Sequence, residues 1–395
     1  MSIKSTQGEP RKVTPGSSDN AYECMWCAPS FKLDPTGPGA KRFDITGIDS
    51  AFIVKDVISK AEAAQLVEMA EKMGFARQSG DEAERRNGAL SWVLHDALGE
   101  QLIRRLAPCL PWTVAVHSPG SEAPTAEQVA AGLPEANGIK PLVREVSGAP
   151  AGLYELASLS ARSRVYRYEG NTDDAFLPHH DEVWPGSRLT IGADDAVDPT
   201  LAYDGWRYSS EAGAGSSSAG WSWKAGDRVS HLSVLLYLND DFEGGQTLLH
   251  PEGGVGAEAG EGAGATKVAV SPEVGSALCF GQSFKLGRAG VAHSPDALLH
   301  EGLPVVSPAG RPLFLKPAAK YILRTDVCYT MPPPPKEAAE ASLEAWREEA
   351  DGTRGQQIDP RASQQMEVEL SSEKEIRAKQ LAALKEAGYD TSGFE

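Results

Sequence analysis

The chain has no apolar run of the about 20 residues that a bilayer-crossing helix needs, so no helical membrane span is expected. Its first residues, MSIKSTQGEPRKV, are polar and lack the apolar stretch of a secretory leader. A cytoplasmic location, or a nuclear one, is the default expectation. Cysteine is scarce and odd in number: Cys24, Cys27, Cys109, Cys279 and Cys328 cannot form a disulfide framework and suit a reducing compartment. Cys24 and Cys27 make a single CxxC, but a tetrahedral zinc site needs two more ligands and no second pair is present. They are expected to be free thiols in a flexible head. Positive charge is also short. With 38 Lys+Arg against 55 Asp+Glu, the formal net charge of −17 repels phosphate backbones and anionic lipid, so neither nucleic acid nor membrane is an expected partner.

Apolar residues are plentiful, at 41% of 395, enough for one large core with attachments. Residues 1–42, rich in Gly, Pro, Ser and Lys without periodicity, read as a flexible N-terminal segment. Residues 43–158 read as a helix-rich part that supports the core. There, FDITGIDSAFIVKDVIS alternates at period two and then gives way to helical spacing, with Leu66, Met69, Ala70 and Met73 on one face. Ser59 and Glu62 fit a capping box and Gly74 a helix end. Leu98, Leu102 and Leu106 mark a second helix, stopped by Pro108. From 159 to 330 short β-rich runs follow one another: SRVYRYEG, HLSVLLYLND, GGQTLLH, TKVAVSP, SALCFG and KYILRTDVCY. Strands in that density, without long helices between them, predict a sandwich or barrel and a mainly β fold with supporting helices (α+β). The Gly/Ala/Ser-rich stretches 185–228 and 251–266 read as surface insertions, and LNDDFEGGQ as a hairpin turn. Residues 331–395 read as a charged helical tail, open to contact with another protein.

In FLPHHDEVW, His179 and Asp181 stand two apart, so on an extended strand both project to one face. Two imidazoles and a carboxylate on one face of an octahedral iron(II) leave three positions for co-substrate and dioxygen. That requires one distant histidine. His300, in the apolar LLHEG, is favoured because precise sites are better held on rigid elements; His293, in GVAHSPDA, is the competitor. His180 should point away from the pair. The remaining histidines, His95, His117, His231 and His250, are expected to be structural.

Together these segments resemble the prolyl 4-hydroxylase-like branch of the iron(II)/2-oxoglutarate oxygenases. The matching pieces are YRYEGN before PHHD, then GDRVSHLSVLLYLNDDFEGGQT, SALCF, LLHEGLPV and KYILRTDVCY, in the family order. The helix of ISKAEAAQLVEMAE resembles the one that opens the family's fold. The resemblance implies a double-stranded β-helix (jelly roll, cupin-like), iron(II) on His179, Asp181 and His300, 2-oxoglutarate as co-substrate, and ascorbate as a helper. It implies a basic residue on the following strand for the far carboxylate of 2-oxoglutarate, which corresponds to Lys320. The connection SPAGRPLFLKPAA is longer than is usual there, so Arg324, four residues on and on the same strand face, competes with Lys320; Arg311 and Lys316 are weaker candidates. Tyr237, expected on one side with Leu235, Ser233 and His231, resembles a tyrosine that reaches the co-substrate, and Tyr168 holds a similar place ahead of the HxD motif.

The expected reaction is hydroxylation, since Asp181 retains the carboxylate that related halogenases lack. By resemblance the substrate is a peptidyl proline, within a peptide or protein; a free amino acid or another small molecule is the alternative. A nucleic-acid demethylase would share the triad, but the charge of −17 weighs against it. A non-catalytic binding protein on the same fold has no need of four convergent polar groups.

Overall fold

The β-rich runs all become strands, and the alternation within them decides which side chains meet. The computed structural model describes residues 9–15, 24–27, 33–77, 86–118, 120–131, 137–146, 151–190, 200–203, 207–209, 220–222, 228–251, 267–283, 296–309 and 318–330. The strands and helices that frame the site are, in chain order, β1 (Arg11–Pro15), β2 (Cys24–Trp26), β3 (Ala51–Lys55), α1 (Lys60–Met73), β4 (Gly88–Val93), α2 (Asp96–Leu106), β5 (Arg162–Glu169) and β6 (Phe176–His179). They continue with β7 (Arg228–Tyr237), β8 (Thr247–His250), β9 (Val268–Val270), β10 (Ala277–Gly281), β11 (Leu299–Gly302) and β12 (Ala319–Thr330).

A large sheet runs β2-β4-β5-β12-β7-β10-β3 through its centre, and a four-stranded sheet, β6-β11-β8-β9, faces it. The two form a double-stranded β-helix core. The central strand β7 is covered on both faces, and RVSHLSVLLY is buried at every position after Arg228. Val229, Leu232, Val234 and Leu236 pack with Leu66 of α1 and Leu98 and Leu102 of α2. Leu235 and Tyr237 point the other way, into an apolar cluster with Tyr166, Tyr168, Phe176, Leu249 and Phe280 between the sheets. Each such buried side chain is worth about 1.5–3 kcal/mol, so the outer core fixes the large sheet and leaves its inner face to carry the site.

The helices form where the spacing predicts. Ser59 caps α1 with a reciprocal Glu62 bond, and Gly74 follows it at φ 86°. Glu62 is also paired with Arg105 of α2 at 2.8 Å, so one carboxylate caps one helix and ties it to the next.

Four expectations change. Residues 1–42 are not simply a loose head: β1 and β2 join the large sheet, because Val13, Cys24 and Trp26 bury against Val93, Ala161, Leu189 and Leu201. All five cysteines are buried free thiols, and burial raises the Cys24 and Cys27 thiols. The 43–158 part supplies strands as well as helices, β4 lying between β2 and β5 and β3 extending the other edge. Its apolar runs AFIVK and GALSWV are too short for a helix and find partners in the sheet. Within 185–228, Ser187–Thr190 and Thr200–Tyr203 pair and continue the sheet beyond β1. LNDDFEGGQ is no hairpin, because the strands it joins, β7 and β8, belong to different sheets. Among the described residues no helix is long and apolar enough to cross a membrane. The charged tail lies outside the described residues, as do His293, Arg311 and Lys316.

Candidate metal centre

β6 and β11 run antiparallel with His179 directly opposite His300, so neighbouring strands bring together two imidazoles 121 residues apart. Their ring centres are 4.2 Å apart. β6 ends at His179 and Asp181 follows two residues on, its backbone carbonyl accepting a 2.7 Å bond from the Ser283 amide. One potential ligand atom from each of His179, Asp181 and His300 lies within 4.8 Å of the others.

Backbone carbonyls orient both rings. His179 Nδ1 is 2.8 Å from the Leu177 carbonyl and His300 Nδ1 is 3.1 Å from that of Leu298. A carbonyl only accepts, so each Nδ1 carries the proton and each Nε2 keeps its lone pair for a metal. Phe176 stacks on His179 at 3.6 Å between ring centres, and Phe280 flanks His300 at 4.4 Å. Asp181 is held from the other sheet: its Oδ2 accepts from Ser233 Oγ at 2.6 Å and from Arg324 Nε at 3.2 Å. That leaves Oδ1, 3.8 Å from His179 Nε2, on the ligand side. Burial pushes the Asp181 carboxyl up, but Arg324, His300, His179 and Ser233 outweigh it and hold the group ionised, well below the usual carboxylate range. Burial lowers His300 despite the nearby Asp181, which favours the neutral imidazole that metals require. Two neutral imidazole nitrogens and one carboxylate oxygen, each oriented by a second contact, fit iron(II) in an octahedral field with open positions.

Lys320 opens into the same cavity. Its side chain is wholly buried; Nζ donates to the Gly245 carbonyl and lies 5.3 Å from the ring centre of Tyr168 and 5.7 Å from that of Tyr237. Burial alone lowers its pKa to about 7, and among the described residues no carboxylate pairs with it. The lysine fits because residue 245 is glycine at φ 65°, where an added Cβ would stand 3.2 Å from Lys320 Cδ and 2.9 Å from the Phe242 ring. Tyr166, Tyr168, Phe176, Leu235, Thr247 and Ile322 complete a largely apolar wall between Lys320 and the ligands.

Arg324 lies on the face of β12 that also carries Lys320, as alternation requires, yet two of its nitrogens are engaged by carboxylates. Nε meets Asp181, and Nη2 meets Asp326 Oδ1 at 3.2 Å. Burial works against its charge, but the two carboxylates more than offset that and raise its pKa. Tyr168 lines the cavity, whereas Tyr237 stands behind it, its hydroxyl 2.9 Å from Thr247 Oγ1, so Thr247 is the hydroxyl that meets the cavity. His231 leaves the row with Ser233, Leu235 and Tyr237: the register against β12 shifts between Ser230 and Leu232, and the ring packs on Tyr154 and Tyr329 at 5.1 and 5.7 Å. His95 caps α2, and His250 meets Glu301 at 3.0 Å.

The sequence reading missed the polar layer under Asp181. Gln282 donates to Ser233 Oγ at 3.0 Å and to Asp326 Oδ1 at 2.8 Å, and accepts from Ser230 Oγ at 2.6 Å. No spacing rule announces such a network, since its members come from β7, from β12 and from the residue that follows β10. Arg164 and Tyr166 were legible, because alternation in SRVYRYE places them on one face with Tyr168.

No family model matches the chain, and no curated protein matches it. Among solved structures, the chain is similar to a prolyl hydroxylase from Trichoplax adhaerens in complex with a hypoxia inducible factor oxygen degradation domain peptide, at 14% identity and a TM-score of 0.33, covering 72% of this chain and 84% of that one. It is similar to a prolyl-4-hydroxylase from Pseudomonas putida, at 12% identity and a TM-score of 0.32, covering 70% and 92%. It is also similar to a 2OG-Fe(II) oxygenase family oxidoreductase from Burkholderia pseudomallei, at 10% identity and a TM-score of 0.30, covering 71% and 85%.

Proposed function

We propose that this protein is an iron(II)- and 2-oxoglutarate-dependent oxygenase that hydroxylates a substrate C–H bond, with release of succinate and carbon dioxide. The observation that carries the reading is a buried lysine, Lys320, without a carboxylate partner among the described residues, in the same cavity as the His179, Asp181 and His300 cluster. A metal site alone would not require it. A buried charge is tolerated when a ligand brings the opposite one, and a dicarboxylate fits both ends: one end for the metal, the other for the ammonium.

His179, Asp181 and His300 would hold the iron, which supplies dioxygen activation coupled to oxidative decarboxylation of 2-oxoglutarate. Lys320 binds the distal carboxylate. Its depressed pKa means that binding near and above pH 7 draws a proton onto Nζ, and the ion pair then keeps it there. The Thr247 and Tyr168 hydroxyls offer further hydrogen bonds, while Leu235, Ile322 and Phe176 exclude water from the ion pair. Ser233 and Arg324 hold Asp181 Oδ2, which keeps Oδ1 presented to the metal. Ascorbate belongs in the assay as a reductant. Peptidyl proline is the substrate that the sequence resemblance offers, and a free amino acid is its rival.

The decisive experiment measures succinate formation from 2-oxoglutarate by purified protein with iron(II) and ascorbate. Turnover is expected in the wild type and a loss of at least a hundredfold in His179→Ala; full turnover in that variant would refute the site. Mass spectrometry of proline-containing peptides from the same reactions, read for a hydroxyl-mass gain on proline, separates the two substrate classes.

A further inference from the structure

Gln282, the residue after β10, is wholly buried, and so are Ser230 and Ser233 of β7. Its backbone is fixed on both sides: the amide donates to the His231 carbonyl at 3.1 Å and the carbonyl accepts from Arg144. The next residue, Ser283, donates its amide to the Asp181 carbonyl at 2.7 Å, and its own carbonyl accepts from the Val183 amide at 3.0 Å. The Gln282 side chain thus starts from a backbone fastened to the segment that carries Asp181.

The direction of each bond around that side chain follows from one fixed donor. The Trp184 backbone N–H can only donate, and it donates to Ser230 Oγ at 2.7 Å. The single proton of the Ser230 hydroxyl goes on to Gln282 Oε1 at 2.6 Å. The amide nitrogen therefore faces Ser233 Oγ at 3.0 Å and Asp326 Oδ1 at 2.8 Å. A flipped amide would set its oxygen against Asp326 Oδ1, which already accepts from Arg324. Ser233 Oγ, receiving a proton from Gln282, gives its own to Asp181 Oδ2 at 2.6 Å. With Arg324 Nε as a second donor at 3.2 Å, the lone pairs of Oδ2, about two on a carboxylate oxygen, are in use.

We propose that Gln282 is a positioning residue for the metal: by fixing the direction of the Ser233 hydroxyl it keeps Asp181 Oδ2 within the protein and leaves Oδ1 as the one ligand atom. The proposal rests on the oxygenase reading, because it assigns how one ligand of that site is presented. A carboxylate that closes on a metal through both oxygens uses up a position that one-oxygen ligation leaves open. Held to Oδ1, Asp181 and the two histidines leave the remaining octahedral positions to co-substrate and dioxygen. Gln282 acts on the ligand through Ser233, and burial removes solvent as a competitor for that hydroxyl.

Infrared difference spectra of cobalt(II)-loaded against metal-free protein, with aspartate carrying carbon-13 in its side-chain carboxyl, read the ligand mode. The two carboxylate stretches lie far apart for one-oxygen ligation and close together for two. Wild type is expected to show the wide separation, and the stretches to shift after full exchange into heavy water as the Ser233 proton is replaced. Ser233→Ala should narrow the separation. Gln282→Glu turns an acceptor towards Ser233, competes for its proton, and should narrow the separation at least half as far. Gln282→Met removes donor and acceptor together, leaves that proton to Asp181, and should stay near wild type. A role in packing alone would lower Tm in both Gln282 variants without separating their spectra. A narrow separation or no heavy-water shift in wild type, or matching spectra in the two Gln282 variants, overturns the proposal alone; the wild-type spectra decide it where a variant fails to fold. Failure of wild type to bind cobalt(II), or binding unchanged in His179→Ala, overturns the oxygenase reading as well.

Discussion

At the scale of single residues, the site is organised by how each charge is compensated. Asp181 and Arg324 compensate each other within the protein, whereas among the described residues Lys320 meets the Gly245 carbonyl and aromatic faces and no carboxylate. Lys320 therefore destabilises the ligand-free fold. Between its folded pKa of about 7 and the ordinary lysine value of 10.5, the unfolded chain holds a proton that the folded chain does not, so this residue makes stability rise with pH across that window. Below about 7 both states are protonated and the full cost of the buried ammonium is present. Lys320→Met should thus stabilise the ligand-free protein by a few kcal/mol at pH 6 and by much less at pH 9, while 2-oxoglutarate no longer protects it against heat. Thermal melts at the two pH values, with and without 2-oxoglutarate, check this; a variant less stable than wild type at pH 6 would show that the lysine is already compensated.

At the scale of elements, helices and strands were legible to different depths. The two helices could be read because their signals are local: Ser59, Glu62 and Gly74 mark the ends of α1, and Leu98, Leu102 and Leu106 form the buried stripe of α2. HxD pointed to two candidate ligands for a similar reason, since two residues on an extended chain share a face. The pairing of β6 with β11 and the identity of the wall were not legible, because they depend on which distant strands become neighbours. One register shift in β7 turned His231 away from Ser233, where strict alternation predicted the same side. Glu62 shows how a local motif gains a long-range role. Burial raises its pKa, but bonds from Arg105, Ser59 and Asp34 outweigh that and lower it from 4.5 to about 2. Its contribution is therefore fully present above pH 4.5 and is lost as pH falls through about 2. Glu62→Gln should cost about 1–3 kcal/mol at pH 7 and flatten acid unfolding between pH 4.5 and 2. Because α1 packs on the face of the large sheet opposite the ligands, metal affinity should not change. Chemical denaturation across pH, with metal titration at neutral pH, measures both.

For the whole molecule, the candidate metal centre is a junction between sheets. His179 and His300 belong to the four-stranded sheet, and Asp181 is bonded to the large one through Ser233 of β7 and Arg324 of β12. An ion shared by the three side chains fastens one sheet to the other at a place where the apolar cluster opens into a cavity. Binding to the folded chain alone stabilises it by about 2.7 kcal/mol at a hundredfold excess over Kd, which for a chain of this size raises Tm by roughly 3–4 °C. Manganese(II), which resists oxidation, should produce that rise, a chelator should reverse it, and His300→Ala should abolish it. Hydrogen exchange gives the sharper readout. If the ion joins the sheets, protection should increase along β8 and β9, whose residues supply no ligand but ride on β11. Protection confined to the loop around Asp181 would mean that the ion orders that loop alone and that the apolar cluster already holds the sheets together without it.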